Sequence, residues 1–267
     1  MRDSVRRRSF LSPALWIPAG LALALLGLPL VALVVRAPWA ELPELLSRPQ
    51  VSQSLVLSLV TAIMATIVSL VLGIPLALVL ARSAEWATVP RRLLRALVTV
   101  PLVLPPVVGG VALLLLLGRR GLIGQFLPFQ IPFSTTAVVI AQVFVSMPFL
   151  VLAVEGAVRA SDRRFEIVAA TLGASRWTVL RRVTLPLVVP GVSAGAVLCF
   201  TRALGEFGAT ITFAGSFPGV TQTLPITIYL QLQSDPDAAI ALSLLPMVVS
   251  VIVLVALRDR WVPGLRG

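Results

Sequence analysis

The chain has no histidine, no lysine, a single tyrosine and a single cysteine among 267 residues. Each absence removes a class of chemistry. Without histidine there is no imidazole base and no imidazole metal ligand, which excludes most hydrolase and zinc-site readings. Without lysine there can be no G-x-x-x-x-G-K-[ST] phosphate loop, so the chain cannot hydrolyse ATP in the usual way. Cys199 stands alone, so no intrachain disulfide is possible. Charge is also scarce. Only 12% of residues are Asp, Glu, Lys or Arg, against about a quarter in a soluble domain. Apolar residues make up 58% of the chain, the composition of an integral membrane protein.

Six runs are long and apolar enough to cross a bilayer, at approximately 12–35, 54–81, 95–118, 134–157, 187–214 and 238–257. A hydrocarbon core of about 30 Å needs roughly 20 such residues per helix. The first run follows Arg6, Arg7 and Arg8 like a signal peptide, but its apolar stretch over 14–35 exceeds the roughly 7–15 residues of a signal core. It reads as an uncleaved span. The expected organisation is a tail at 1–11, a transmembrane domain at 12–257 and a tail at 258–267.

The net charge of +11 suggests a nucleic-acid binder until the basic residues are placed. With the N-terminus inside, seventeen of the 22 arginines fall on cytoplasmic segments and four on external ones, with Arg202 inside a span. This is the positive-inside pattern. It requires an even number of spans, with both termini cytoplasmic. The partner it implies is membrane lipid, with no nucleic acid.

Proline and glycine interrupt the spans. Pro101, Pro105, Pro106, Gly109 and Gly110 break the third, as PLVLPPVVGG. Consecutive prolines do not fit a regular helix interior. Such a break is either a kink for packing or the lining of a pathway. The segment 215–236 is polar enough for an external loop, and its apolar centre at 226–232 suggests a short re-entrant or interfacial helix.

Residues 159–186, RASDRRFEIVAATLGASRWTVLRRVTLP, form an arginine-rich island between apolar runs, on the cytoplasmic side by the arginine count. Read as a helix, the island presents a stripe of small residues, Ala169, Ala170, Gly173 and Ala174, which lets another element approach closely. Glu166 near the start and Arg181 and Arg182 near the end suit the helix dipole. Gly173 can end or bend a helix. Leu185 and Pro186 are expected to stop the element and start the next span.

This pattern resembles the "EAA…G…I-x-L-P" loop of importer-type ABC transporter permeases, here Glu166, Ala169, Ala170 and Gly173, then Val183, Thr184, Leu185 and Pro186. Val183 replaces the common isoleucine, and Glu166 stands seven residues before the glycine rather than six. The resemblance implies an all-α membrane protein of the type I ABC importer permease fold, with six transmembrane helices and a cytoplasmic coupling helix. It implies a coupling contact with an ATPase subunit at Ala169, Ala170, Leu172, Gly173 and Ala174, supported by Glu166, Leu185 and Pro186.

The fifth run carries the most unusual intramembrane charge, Arg202 with Glu206 four residues later. Charges at membrane depth usually face a bundle interior or a cavity, and an i,i+4 pair lies on one helix face. The pair is either a structural lock or part of a polar pathway for an anion. Expected pathway residues are Arg202, Gly205, Glu206, Gly208, Thr210 and Thr212, with Pro105, Pro106, Gly109 and Gly110. Hydroxyls of Thr201, Thr210, Thr212, Ser216, Thr221 and Thr223, and backbone N–H groups of Gly205, Gly208 and Gly215, are candidate donors to a dianion. One neutralised arginine suits conduction, which needs weak sites.

The run RALGEFGATITFAGSFPGVTQTLPITIYLQ, with PLVLPPVVGG, resembles the molybdate ABC transporter permeases. Sulfate/thiosulfate permeases share its GEFGA core and are the alternative. The resemblance implies a homodimer of permease subunits, two cytoplasmic ATPase subunits and an external molybdate-binding protein. Tungstate, nearly isosteric with molybdate, would also pass. No cofactor, metal site or catalytic residue is expected in this chain; ATP and Mg act on the partner. An enzyme is a poor reading, since only Glu155, Glu206 and Cys199 offer reactive groups in or near the spans.

Overall fold

A computed structural model describes residues 15–83 and 86–261. The expected tail at 1–11 lies outside the described residues, as does most of the one at 258–267. Among the described residues the elements are all helical. They are α1 (Trp16–Arg36), α2 (Leu42–Ser47), α3 (Pro49–Arg82), α4 (Thr88–Val103), α5 (Pro106–Leu117), α6 (Thr135–Ala160), α7 (Arg164–Thr171), α8 (Arg176–Val179), α9 (Leu185–Leu204), α10 (Gly208–Phe213), α11 (Leu224–Ser234) and α12 (Pro236–Trp261).

Helices α3, α6 and α9 form the centre of the bundle. Hydrophobicity alone does not select these contacts, because lipid is as apolar as leucine; small residues do, by letting backbones approach. On α3 the buried positions Ser58, Ala62, Ala65, Ser69, Gly73 and Ala77 recur every three or four residues. A Cβ on Gly73 would sit 3.1 Å from Leu150 of α6. On α9, a Cβ on Gly191 would strike Ala157, and one on Gly195 would lie 2.9 Å from Leu150 and 3.1 Å from Ala153. Four residues further on, the Cys199 thiol donates to Ser146 Oγ at 3.3 Å. These pairs fix α6 and α9 as antiparallel neighbours in one register. Helix α1 sits apart, packing against α12 and burying no residue.

The third apolar run is not one straight helix. Helices α4 and α5 meet at 117°. Leu104 is extended, as a residue before proline prefers, and Pro105 and Pro106 offer no N–H to continue the ladder. The bent pair still reaches along the length of α6. Val98 of α4 packs with Val151 and Val154 near one end of α6, and Leu113 of α5 packs with Ala137, Val138 and Ala141 near the other.

The fifth run also departs from expectation. Leu185 and Pro186 do not stop an element. From Arg176 to Leu204 the chain is one continuous 29-residue helical path, with a π-helical turn at Leu180–Thr184 in which the Leu185 N–H donates to the Leu180 carbonyl. The wider turn accommodates Pro186, which lacks an N–H and crowds the carbonyl four residues back. The path then ends at Leu204, ten residues before the expected boundary. Gly205, Glu206 and Phe207 form a break before α10. The apolar centre of 215–236 is the helix α11, as expected.

Two sets of contacts define the ends of the bundle. At the arginine-rich end, Arg82 of α3 faces Glu166 of α7 at 3.7 Å, and Glu155 of α6 holds Arg95 of α4 at 3.3 Å and Arg159 at 2.7 Å. At the opposite end, Arg48 pairs with Asp235 at 3.3 Å, and the Leu224 N–H donates to Ser58 Oγ at 2.7 Å. Asp235 caps α12, and the hydrogen bond from the Ala238 N–H, aided by Arg48, holds its carboxyl below the ordinary value against the opposing effect of desolvation.

Close packing yields a first expected outcome. A Cβ on Gly110 of α5 would lie 2.7 Å from the Thr212 side chain and 2.8 Å from the Ala209 carbonyl of α10. Backbone cannot step aside as a flexible side chain can. Gly110→Val is expected to destabilise the bundle by about 1–3 kcal/mol, read as thermal unfolding in detergent. Gly27→Val, where nothing lies within 4 Å, is the control, and equal stability of the two variants would refute the α5–α10 contact.

Candidate functional sites

The coupling segment is built by a helix stop. Helix α7 begins after Asp162, whose carboxylate accepts the Arg164 N–H at 2.9 Å. It ends where the Gly173 N–H donates to Ala170 at 3.0 Å and the Ala174 N–H to Ala169 at 3.1 Å. Gly173 takes φ +86°. These two bonds with a left-handed glycine form the Schellman stop. A Cβ on Gly173 would meet nothing within 4 Å, so the glycine is required by its backbone angle, not by crowding. Ser175 then caps α8, accepting the Thr178 N–H at 3.2 Å.

Glu166 turns inward. Its Oε1 accepts from Thr184 Oγ1 at 2.5 Å and lies 3.7 Å from Arg82. It therefore ties α7 to the root of α9 and to the end of α3. Ala170, Leu172 and Gly173 are exposed, while Ala169 and Ala174 are half-buried. Ala170 and Ala174 line a cleft of ≈ 500 Å³ with Arg82, Arg163, Glu166 and Arg176. Leu185 is half-buried and Pro186 is exposed in the root of α9. The sequence reading missed the large apolar side chains of this segment. Phe165, Ile167, Val168 and Trp177 are all exposed beside Leu172. Their exposure, which the sequence does not show, is what marks these five residues.

The second site lies where α9 breaks. Arg202 Nη1 and Glu206 Oε2 are 2.7 Å apart, with Arg202 27% and Glu206 1% exposed. The other oxygen, Glu206 Oε1, accepts the Ala209 N–H at 2.8 Å. The carboxylate thus joins the end of α9 to the start of α10. The Phe207 ring meets that of Tyr229 of α11 at 5.0 Å, tilted by 48°.

The two expected halves of the pathway meet in space, since α5 packs on α10. Gly208 lies against Pro106 and Val107, and Gly110 against Ala209 and Thr212. Gly109 faces the Phe144 ring. Gly205, Pro105 and Pro106 are exposed and Arg202 and Thr212 partly buried; Glu206, Gly208, Thr210, Gly109 and Gly110 are buried. Three of the nine expected donors are committed elsewhere, while the buried hydroxyls of Thr210 and Thr223 have no hydrogen-bond partner. The Gly205 N–H donates to Thr201, and the hydroxyls of Thr201 and Thr212 donate to the carbonyls of Val197 and Gly208. Gly208 is buried and not open to a ligand. One residue was missed entirely. Gln142 of α6 is buried, with neither amide atom hydrogen-bonded. The α6–α9 register sets it level with Ala203, one turn from the pair.

The model for the family described as binding-protein-dependent transport system inner membrane component matches residues 73–264. The molybdenum transport system permease protein ModB of Mycobacterium tuberculosis is 52% identical over 92% of this chain and 93% of its own length. Its counterpart in Escherichia coli K12 is 40% identical, covering 78% of this chain and 92% of its own length. A sulfate transport system permease protein, CysT of Escherichia coli K12, is 34% identical over 88% of this chain and 86% of its own length. Among solved structures, a bacterial alginate ABC transporter in complex with an alginate-bound periplasmic protein has a chain that superposes with TM-score 0.70 at 16% identity, covering 94% of each chain. A chain of the MetNI methionine ABC transporter in an inward-facing form superposes with TM-score 0.63 at 17% identity, covering 81% of this chain and 97% of its own.

Proposed function

This chain belongs to the family of binding-protein-dependent transport system inner membrane components, and on that premise we propose how it works as the permease of a molybdate importer. It is a multi-pass inner membrane protein, a channel subunit and not an ATPase. The observation that carries the molybdate reading is 52% identity over 92% of the chain to a molybdenum permease, against 34% for a sulfate permease.

In our reading two copies form the pathway, each receiving one ATPase subunit at the arginine-rich end. That end faces the cytoplasm and holds both termini; the opposite end receives an external molybdate-binding protein. No cofactor resides in this chain, and ATP and Mg act on the partner. The exposed Leu172 and its apolar neighbours Phe165, Ile167, Val168 and Trp177 enter the ATPase, with the small residues Ala169, Ala170 and Ala174 letting it approach. Glu166 and the root of α9 at Leu185 and Pro186 pass the movement inward. Arg202, on the open edge beside Gly205, Thr212, Pro105 and Pro106, meets the passing dianion. Glu206, Gly208, Thr210, Gly109 and Gly110 hold that edge in place.

Reconstitution of the chain with its ATPase and binding protein in liposomes tests the substrate. Molybdate uptake is expected to require ATP, to be reduced by tungstate and to be insensitive to excess sulfate. Sulfate-driven uptake with no response to molybdate would assign the chain to the sulfate branch.

A further inference from the structure

Resting on the reading that Arg202 meets the passing dianion, we propose that Gln142 is a positioning residue for transport: with the Thr210 hydroxyl, its amide takes over the Glu206 carboxylate when Arg202 turns to the anion.

Gln142 stands at the junction of two packed stripes of α6. Val139 and Val143 pack with Ala203 and Leu204 at the end of α9. Val138, Ala141 and Val145 pack with Ala209 and Phe213 of α10. Gln142 lies between these stripes, so it faces the break that joins α9 to α10, and it is 1% exposed. Glu206 is the charged residue of that break. The Cys199–Ser146 contact sets the same register, one helical turn from Ala203 and Gln142.

Both amide atoms of Gln142 and the hydroxyl of Thr210 are buried without a hydrogen-bond partner. Such groups bear the full cost of lost hydration, and nearly all buried polar atoms avoid it. Thr212 avoids it by donating to the Gly208 carbonyl four residues back. Thr210 has no such turn behind it, because α10 begins at Gly208. An apolar side chain would pack at either position without that cost. Two open donors at a break that carries one buried carboxylate are the groups an exchange of partners needs.

The pair itself is asymmetric. Arg202 is 27% exposed and Glu206 1%, so the guanidinium can leave for an anion while the carboxylate cannot follow it to water. Glu206 Oε1 keeps the Ala209 N–H, and Oε2, 2.7 Å from Arg202, is the atom left bare. A buried charge without a partner is strongly unfavourable. The chain has no lysine or histidine, and its other arginines lie toward the ends of the spans, so neutral donors must meet that oxygen. The Gln142 amide N–H and the Thr210 O–H are of that kind, and hydrogen bonds to an ionised acceptor are the strong ones.

The test is a double-substitution cycle on the assembled transporter. Gln142→Met keeps the side-chain length and removes the amide. It is expected to leave the wild-type thermal unfolding temperature unchanged or to raise it. In the Arg202→Ala background, where Glu206 already depends on Gln142, it is expected to lower that temperature by about 3 °C or more. An equal shift in both backgrounds is what a merely structural amide gives, and would overturn the exchange. Uptake reads the cycle independently of Arg202→Ala. Gln142→Met is expected to slow ATP-driven molybdate uptake about tenfold, but by less than about twofold in the Glu206→Gln background, where no carboxylate needs the donor. Thr210→Val, which removes only a hydroxyl, should follow the same pattern with a loss of about threefold. Equal slowing in both backgrounds, or none in either, would overturn the proposal and leave the contact of Arg202 with the dianion standing. Wild-type uptake by R202M/E206Q would overturn that contact, and the exchange with it.

Discussion

Gly173→Val is expected to lower binding-protein-stimulated ATP hydrolysis by the assembled transporter by about tenfold, and Gly173→Asn to retain most of it. The difference lies in the backbone. Gly173 holds φ +86° to close the Schellman stop of α7. A β-branched residue in the left-handed region costs roughly 1–3 kcal/mol, whereas asparagine tolerates it. A helix that runs past Gly173 carries Leu172 and Ala174 out of register with the cleft that Ala170 and Ala174 line. Space is not the issue, since a Cβ added at this position would have no atom within 4 Å. Equal loss in both variants would instead mean that the ATPase backbone presses directly on the glycine. Full activity in Gly173→Val would remove the coupling role.

How far this site was legible depends on which physical effect set each residue. Gly173 announced itself, because few residues other than glycine end a helix that way. The neighbouring apolar residues did not, because in a chain that is 58% hydrophobic a phenylalanine carries little contrast until its exposure is seen. Glu166 looked like a contact by its place in the motif, yet it faces Thr184 and Arg82 inside the chain. The break at Pro105 and Pro106 could be read from the missing N–H groups, but not its 117° angle, which depends on α5 packing onto α10. The continuation of α9 back to Arg176 was hidden, because proline ordinarily marks a helix start and a π-helical turn relieves that constraint only in three dimensions. Hydropathy found the spans, while the order of their packing lay in the small residues of α3 and α9, whose spacing is visible only once the helical path is known.

The pair at the α9–α10 break gives the second large effect. Arg202→Ala leaves the Glu206 carboxylate, 1% exposed, without its cation, and removing one member of a buried pair costs about 3–5 kcal/mol. Glu206→Gln is expected to cost less, because the amide oxygen can still accept the Ala209 N–H and the half-exposed Arg202 can turn to water or anion. The double variant Arg202→Met with Glu206→Gln removes both charges, and it should recover most of the stability lost in Arg202→Ala. Thermal unfolding in detergent orders the three. Uptake then separates the two roles of the pair. If Arg202 contacts the dianion, the double variant folds and assembles but transports molybdate at least about tenfold more slowly, the loss expected when a charge-assisted hydrogen bond is removed. If the pair only locks α9 to α10, uptake recovers together with stability. Glutamine preserves the Glu206–Ala209 bond that joins α9 to α10, so uptake by the double variant reads what the guanidinium itself contributes.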